Sequence, residues 1–357
     1  MKKLESILKA ILLRILLFFN PAKKNFTEPD FEHTINVLFI RLNRIGDALV
    51  STPLFTQVKQ NPNIKNFVLA DIKNHFIFRN NPAIDEVIVF EKGIKGFFSI
   101  NKIIKKNNIK IIVDLHDDVS TTVSFLVAIA KVQFKFGFEK SNKKIYTQTV
   151  KRPDPKTTHV IDRLMALLKL FKLSFSSRSV SVNYYPTNQE IETANELIRK
   201  LNPDNKYLIG INISAGSEAR FWGIENYKKL FALLLISEAK LLLFASENEH
   251  HLCEQITGKE NIYPLNASFG IFASGIMKMD FIITPDTSVV HLASINKIPL
   301  FGLYVKYQTD DMIWSPYNTD FDYVLTEEPT LKDIPFEEVK EKLIPFLETH
   351  LNVKSNS

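Results

Sequence analysis

Asn36-Val37-Leu38-Phe39-Ile40-Arg41-Leu42-Asn43-Arg44-Ile45-Gly46-Asp47-Ala48-Leu49-Val50-Ser51-Thr52-Pro53 is the stretch that decides the fold. Val37–Leu42 has the length and the β-branched, apolar composition of a strand buried on both faces. Gly46 permits a tight turn, and a helical period begins at Asp47 and runs to Gln60. The same alternation continues downstream, with strands expected over Phe67–Ala70, Val87–Phe90, Ile111–Leu115 and Phe134–Phe138 and a helix over Val119–Lys131. Short apolar runs separated by helical periods are the pattern of βαβ units, hence of an open parallel α/β sheet.

The pattern loosens over Lys140–Thr158, resumes with a helix near His159–Phe171, and loses apolar density over Ser174–Thr187. A second series then begins, with strands expected at Tyr207–Ile213, Leu241–Ala245, Phe281–Thr284 and Pro299–Leu303 and a helix at Ile224–Ser237. A length of 357 residues suits about two domains. We therefore expect an N-terminal segment over 1–34, a first domain over 35–185, a second over 186–330, and a terminal helix (Phe336–Leu351) with its tail over 331–357. Two such domains would face each other across a cleft lined by the carboxyl ends of both sheets, where open α/β sheets bind ligands.

Composition narrows the function classes. One cysteine excludes an internal disulfide framework and any Cys-based zinc site. The net charge is +6, but residues 131–152 alone carry seven Lys/Arg against one Glu, and residues 1–30 carry six against three acids. Two separate basic patches point to an anionic surface or substrate, not to the continuous stripe that nucleic acid requires. The first patch holds an apolar run from Leu4 to Phe19 broken by Lys9 and Arg14, without a cleavage site after it. That run is short for a membrane span and suits an amphipathic helix in the headgroup plane; a helix packed on protein is the other reading. The expected location is cytoplasmic, on the inner face of the cytoplasmic membrane.

Three strand ends carry unusual chemistry. Asp47 at a helix start reads either as a cap favoured by the dipole or as a general base. Its turn lacks the Gly-x-Gly-x-x-Gly run of a dinucleotide site. Ser214-Ala215-Gly216-Ser217, followed by Arg220, is either a polar turn or a phosphate cradle of small residues with a cationic fork. Asp286-Thr287-Ser288 opens a helix whose first amides favour an anion, with His291 farther along as a ligand or a structural residue.

In order and spacing these segments resemble glycosyltransferase family 9, the lipopolysaccharide heptosyltransferase family. Arg41, Gly46-Asp47 and Thr52-Pro53 resemble its R-x-x-x-x-G-D-x-x-x-x-T-P signature. Arg220-Phe221-Trp222-Gly223 with Tyr227 resembles its K-x-W-P-x-x-x-aromatic element, and Asp286-Thr287-Ser288-Val289-Val290-His291-Leu292-Ala293 its D-T-G-x-x-H-L-A signature. The resemblance implies a GT-B fold of two Rossmann-like domains and an inverting, metal-independent transfer that uses no cofactor. It implies a nucleotide-diphosphate sugar donor, typically ADP-heptose, and an anionic lipid-linked glycan acceptor. Asp47 would be the base. Ser214, Gly216, Arg220, Trp222, Glu249, Asp286, Thr287, Ser288 and His291 would bind the donor. Arg44, Lys135, Lys140, Lys143 and Lys144 would meet the acceptor. Departures from the pattern are Arg220 for Lys, Gly223 for Pro, Ser288 for Gly, and Ala245–Glu249 for a glycine-rich turn; they bear on which sugar is used. A non-catalytic nucleotide-sugar-binding scaffold is the alternative.

Overall fold

The computed structural model describes residues 27–354 apart from 92, 236–237 and 265–267, together with 11, 14, 15 and 18. The helix expected over the first twenty residues lies mostly outside the described residues; Ile11, Arg14, Ile15 and Phe18 are helical and exposed. Among the described residues no helix is long and apolar enough to cross a membrane. The chain divides into two units, Met1–Asn183 and Tyr184–Ser357.

The first unit is built on β1 (Ile35–Arg41), β2 (Ile64–Asp71), β3 (Glu86–Phe90), β4 (Ile109–Asp114), β5 (Phe134–Phe138) and β6 (Gln148–Val150), with helices α1 (Ile45–Val58), α2 (Ile94–Lys106), α3 (Thr121–Ile129) and α4 (Val160–Met165). Its sheet is parallel, in the order β3-β2-β1-β4-β5-β6. Phe39 sits in register with Val68 on one side and Val113 on the other. The strands are apolar on both faces because helices cover both, as a parallel sheet requires.

The second unit contains α5 (Asn188–Leu201), β7 (Leu208–Asn212), α6 (Ile224–Leu234), β8 (Lys240–Phe244), α7 (His250–Thr257), α8 (Phe269–Ile276), β9 (Phe281–Pro285), α9 (Ser288–Ile295), β10 (Leu300–Val305), β11 (Phe321–Thr326) and α10 (Phe336–Lys354). The parallel order is β11-β10-β9-β7-β8. α5 opens with a capping box, Thr187 and Glu190 each satisfying the other's backbone N–H. The edge strands β6 and β11 escape the sequence reading: β6 is three residues long, and β11 follows a polar stretch without a helical period before it.

In each sheet the strand order reverses once, between β1 and β4 and between β7 and β9. Such reversals leave a crevice at the strands' carboxyl ends, because the connecting helices depart to opposite faces. The loops that leave these four strands carry most of the unusual chemistry in the chain.

α1 shows how the sequence sets one of these ends. It is buried on most sides, ten of its residues being inaccessible. Pro53 stands inside it and removes the N–H that would bond Leu49. The Thr52 hydroxyl donates to that carbonyl instead, at 2.7 Å, and accepts the Asn183 N–H at 2.9 Å. The Thr-Pro pair thus keeps the helix intact and ties it to the end of the unit.

Candidate active site

At the carboxyl end of β1, Arg41 is 1% exposed. Its Nε donates to the Asp47 carbonyl at 2.8 Å, and a terminal nitrogen donates to the Leu115 carbonyl at 2.5 Å, so one guanidinium spans the β1 and β4 loops. Its other terminal nitrogen lies 3.3 Å from Asp47 Oδ1, and the Asn43 side-chain amide donates to the same oxygen at 3.1 Å. Asp47, in the first turn of α1, is therefore oriented from two sides while 17% of its side chain stays accessible. A carboxylate fixed in this way, with an open lone-pair direction, can accept a proton from a hydroxyl.

Beside it lies a buried network at the end of β4. Asp114 accepts from His116 Nδ1 at 2.8 Å, from Lys140 Nζ at 3.1 Å and from the Tyr146 hydroxyl at 2.5 Å. Burial pushes the Asp114 carboxyl up, but the Lys140 ammonium and His116 overcome it and hold the carboxyl well below its ordinary range. Burial lowers His116, which stays neutral: Nδ1–H serves Asp114 while Nε2 faces the Leu42 N–H at 3.4 Å. Burial and the Asp114 charge keep the Tyr146 phenol protonated. Gly137 on β5 makes room for that ring, since a Cβ there would stand 2.7 Å from it. Next to this network Asp117 takes a two-pronged Arg152 at 2.9 Å on each oxygen and Arg163 at 2.8 Å. Burial works to raise the Asp117 carboxyl, and the two guanidinium groups hold it below the usual range.

These bonds correct part of the expected acceptor set. Lys140 is not a surface charge, because its ammonium also donates to the His116 and Asp118 carbonyls at 2.6 and 3.1 Å. Lys135 is buried in β5 and donates to the Ala128 carbonyl at 3.1 Å; burial pulls its ammonium down to about 8. Phe134, Phe136, Phe138 and Tyr146 are core residues, so the aromatic rings interleaved with this basic run do not face a ligand. Arg44, Lys143 and Lys144 are exposed.

In the second unit, Asn212 ends β7 and stitches two turns together. Its amide donates to Thr284 Oγ1 at 2.9 Å and Thr287 Oγ1 at 3.2 Å, while its oxygen accepts the Ser214 N–H at 3.2 Å. Thr287 caps α9 through the Val289 N–H, and Ser288 begins that helix. Glu249 closes the far side, accepting from the Ala215 N–H at 3.2 Å and from the Ser246 hydroxyl at 2.5 Å. Gly216 has φ +64°, a left-handed turn that glycine adopts at little cost. Arg220 donates to the Asp286 carbonyl at 3.0 Å and pairs with its carboxylate at 2.9 Å, and both side chains remain partly exposed. Small residues, backbone amides, a helix N-terminus and one guanidinium converge here, which suits a phosphate-bearing ligand.

Two further expected donor residues are interior. Trp222 is fully buried, its indole N–H on the Ile334 carbonyl at 3.0 Å and its ring against Tyr227 and Phe336. It braces the Arg220 loop instead of touching a ligand. His291 is 2% exposed on α9, with its ring beside Trp314. Gly223 has φ +102°, which no proline can adopt, so the departure at this position belongs to the local backbone. Among the described residues no group of three or more His, Cys, Asp or Glu is arranged to hold a metal.

The family model Glycosyltransferase family 9 (heptosyltransferase) matches residues 97–344. The chain belongs to this family. It is a glycosyltransferase. No curated protein sequence matches it. Among solved structures it is similar to a glycosyl transferase family 9 protein from Veillonella parvula, with 19% identity, a TM-score of 0.75 and coverage of 92% of this chain and 99% of that one. It is also similar to E. coli ADP-heptose LPS heptosyltransferase II, with 17% identity, TM-score 0.69 and coverage of 90% and 100%. E. coli heptosyltransferase WaaC with ADP gives 17% identity, TM-score 0.68 and coverage of 88% and 100%. These likenesses establish the fold class, GT-B with two Rossmann-like domains. The family 9 match begins downstream of Asp47, so the role of that residue rests on its own geometry.

Proposed function

We propose that this family 9 enzyme moves a heptose, or a closely related sugar, from a nucleotide-diphosphate donor to a lipopolysaccharide core or similar lipid-linked glycan, inverting the anomeric centre without a metal. ADP-heptose is the proposed donor, in line with the ADP and ADP-2-deoxy-2-fluoro heptose held by the similar WaaC structures. The single observation that carries the reading is the Asp47 carboxylate, clamped by Arg41 and Asn43 at a strand-order reversal.

In this reading the acceptor hydroxyl gives its proton to Asp47 while its oxygen bonds to the anomeric carbon. The bond from that carbon to the diphosphate oxygen breaks, and the nucleoside diphosphate leaves with the electron pair. The sugar carbon acquires oxocarbenium character on the way. Arg220, the exposed Gly216–Ser217 end of the turn and the N-terminus of α9 stabilise the departing charge; one such donor is worth about 3 kcal/mol. Ser288, with a hydroxymethyl at the helix start, borders the donor. Arg44, Lys143 and Lys144, exposed on the first unit, are the proposed contacts to an anionic acceptor held at the inner membrane surface.

Thermal shift against ADP, UDP and GDP with their sugars tests the donor half. ADP-heptose at about 100 times its dissociation constant is expected to stabilise the protein by roughly 2.7 kcal/mol. The Asp286→Ala variant should lose that shift. A shift confined to UDP- or GDP-sugars would move the substrate, and donor binding without turnover on any acceptor would leave a scaffold.

A further inference from the structure

The face of α2 that points away from the sheet has no part in the chemistry above. Ile100 and Ile104 bury the inner side of the helix, with Phe97 and Ile103 against the same core. Its seating is fixed by Asn101, which donates to the Ile129 carbonyl at 3.1 Å and accepts the Lys131 N–H at 2.8 Å. At about 100° per residue, Lys95, Phe98, Lys102, Lys105 and Lys106 fall in one arc of about 100°, and no other residue of α2 falls within it. All five are exposed, and Phe98 is 70% exposed.

Helix stability does not account for this face. Lys105 and Lys106 suit the C-terminal end of the dipole, but Lys95 stands in the first turn, where a cation is disfavoured. Elsewhere exposed helices pair their bases with acids, as in Lys228–Glu225, Lys340–Glu337 and Arg199–Glu192. α2 contains no acidic residue, and among the described residues none of its four arc lysines has a carboxylate partner. A face that only confers solubility gains nothing from a phenylalanine at its centre.

We propose that the α2 face docks on an anionic lipid bilayer, its four ammonium groups at the phosphates and the Phe98 ring at the edge of the acyl chains. Phosphate headgroups supply the missing counter-charge, and the lysine stems flank the ring while their heads stay in the polar layer. This rests on the membrane part of the reading above and not on the identity of the sugar. It places the docking surface in the folded first unit, apart from the N-terminal segment.

The test uses the full chain and vesicles of phosphatidylcholine with or without phosphatidylglycerol. Wild type floats with the anionic vesicles only. Changing Lys95, Lys102, Lys105 and Lys106 together to Gln lowers that partitioning by about 600-fold, at roughly fivefold per lysine. The same change at Lys200, Lys206, Lys259 and Lys278, exposed in the second unit, has a small effect. The Phe98→Trp variant reads the face directly: its added fluorescence shifts blue on anionic vesicles and is quenched by brominated acyl chains. An unquenched Phe98→Trp signal on vesicles that carry the protein would overturn the proposal, as would equal flotation of the α2 quadruple variant. A wild-type dimer that Phe98→Ser dissolves would put a second copy of the chain on this face and likewise overturn it. Transfer to a water-soluble acceptor fragment should be the same in the quadruple variant and wild type. Absence of that transfer in wild type would sink the sugar reading while leaving the flotation result intact.

Discussion

The two strand-order reversals are built from opposite materials. At the ends of β1 and β4 charged side chains, several of them reaching in from other elements, neutralise one another in the interior: Arg41 with Asp47, Asp114 with Lys140 and His116, and Asp117 with two arginines. At β7 and β9 the loops carry Ser, Thr, Gly and Asn, with one partly exposed pair, Arg220–Asp286. The first arrangement fixes the direction of a carboxylate, because Arg41 is itself anchored on the Asp47 and Leu115 carbonyls and the Asn43 backbone is held by Asn74. The second leaves Gly216, Ser217 and the Arg220 guanidinium at least partly exposed, as the proposed diphosphate site requires. In the proposed reaction the base requires orientation and the phosphate site requires room, and the two halves would divide these demands.

Removing the carboxylate that the first cluster orients should have the largest effect. Asp47→Asn keeps the shape and the contact with Arg41 but cannot accept a proton. Turnover should fall by about 10²–10⁴-fold, the usual range for a lost general base, with melting temperature little changed. Single-turnover kinetics with saturating donor check this. Unchanged turnover would remove Asp47 from the chemistry and break the proposed division of labour.

A stability measurement separates the base from its supports. Asp114→Ala leaves the Lys140 ammonium buried without its acid and removes the acceptor from Tyr146 and His116. Breaking a buried pair in this way costs about 3–5 kcal/mol. Urea unfolding should show a loss of that order, while donor binding in the second unit persists at temperatures where the variant stays folded. A loss under 1 kcal/mol would mean that the network is far more hydrated than its geometry implies.

Much of this was legible beforehand, and what was missed has a common cause. Strand alternation located β1 to β5 and β7 to β10 because parallel strands are continuous apolar runs, and the Gly-Asp and Asp-Thr-Ser turns announced themselves by standing at strand ends. The basic run 131–152 misled, since a count of charges carries no information about direction. Lys135 and Lys140 turn inward and Arg152 is held by Asp117, whereas Lys143 and Lys144 remain outside. The available signal was the pair of acids Asp114 and Asp117 closing β4, which need buried cations nearby. The motif places Trp222 at the donor, yet its indole packs under the loop that the motif forms.

The backbone of the second cluster offers a smaller test. Gly223 has φ +102°, and nothing lies within 4 Å of where its Cβ would be, so an added methyl costs only backbone strain. Gly223→Ala should lower stability by about 1–3 kcal/mol. Because Trp222 anchors this loop, donor affinity should fall less than it does for Arg220→Lys, which loses the two-pronged geometry of the guanidinium. Calorimetric titration of both variants with the donor would rank them. The reverse order would make the loop, and not its charge, the determinant of donor binding.

The smallest expected effect is on pH dependence, and it belongs to the first cluster alone. Burial lowers His116 in the folded chain, so below about pH 6.5 the unfolded chain takes up a proton that the folded chain resists. Its contribution to stability is therefore complete above that pH and is lost as pH falls toward the folded value. Protonating Nε2 would also set an N–H against the Leu42 N–H, so the structure has a specific reason to exclude the charge. Asp114 is depressed as well, but its loss begins only below the ordinary carboxylate range, near pH 3.9, which leaves the interval between about 6.5 and 4 to His116 among the groups of this network. Melting temperatures across that interval should decline in wild type and decline less in His116→Gln. Equal slopes would show that the imidazole takes its proton inside the fold, and that the Asp114 network is open enough to accommodate it.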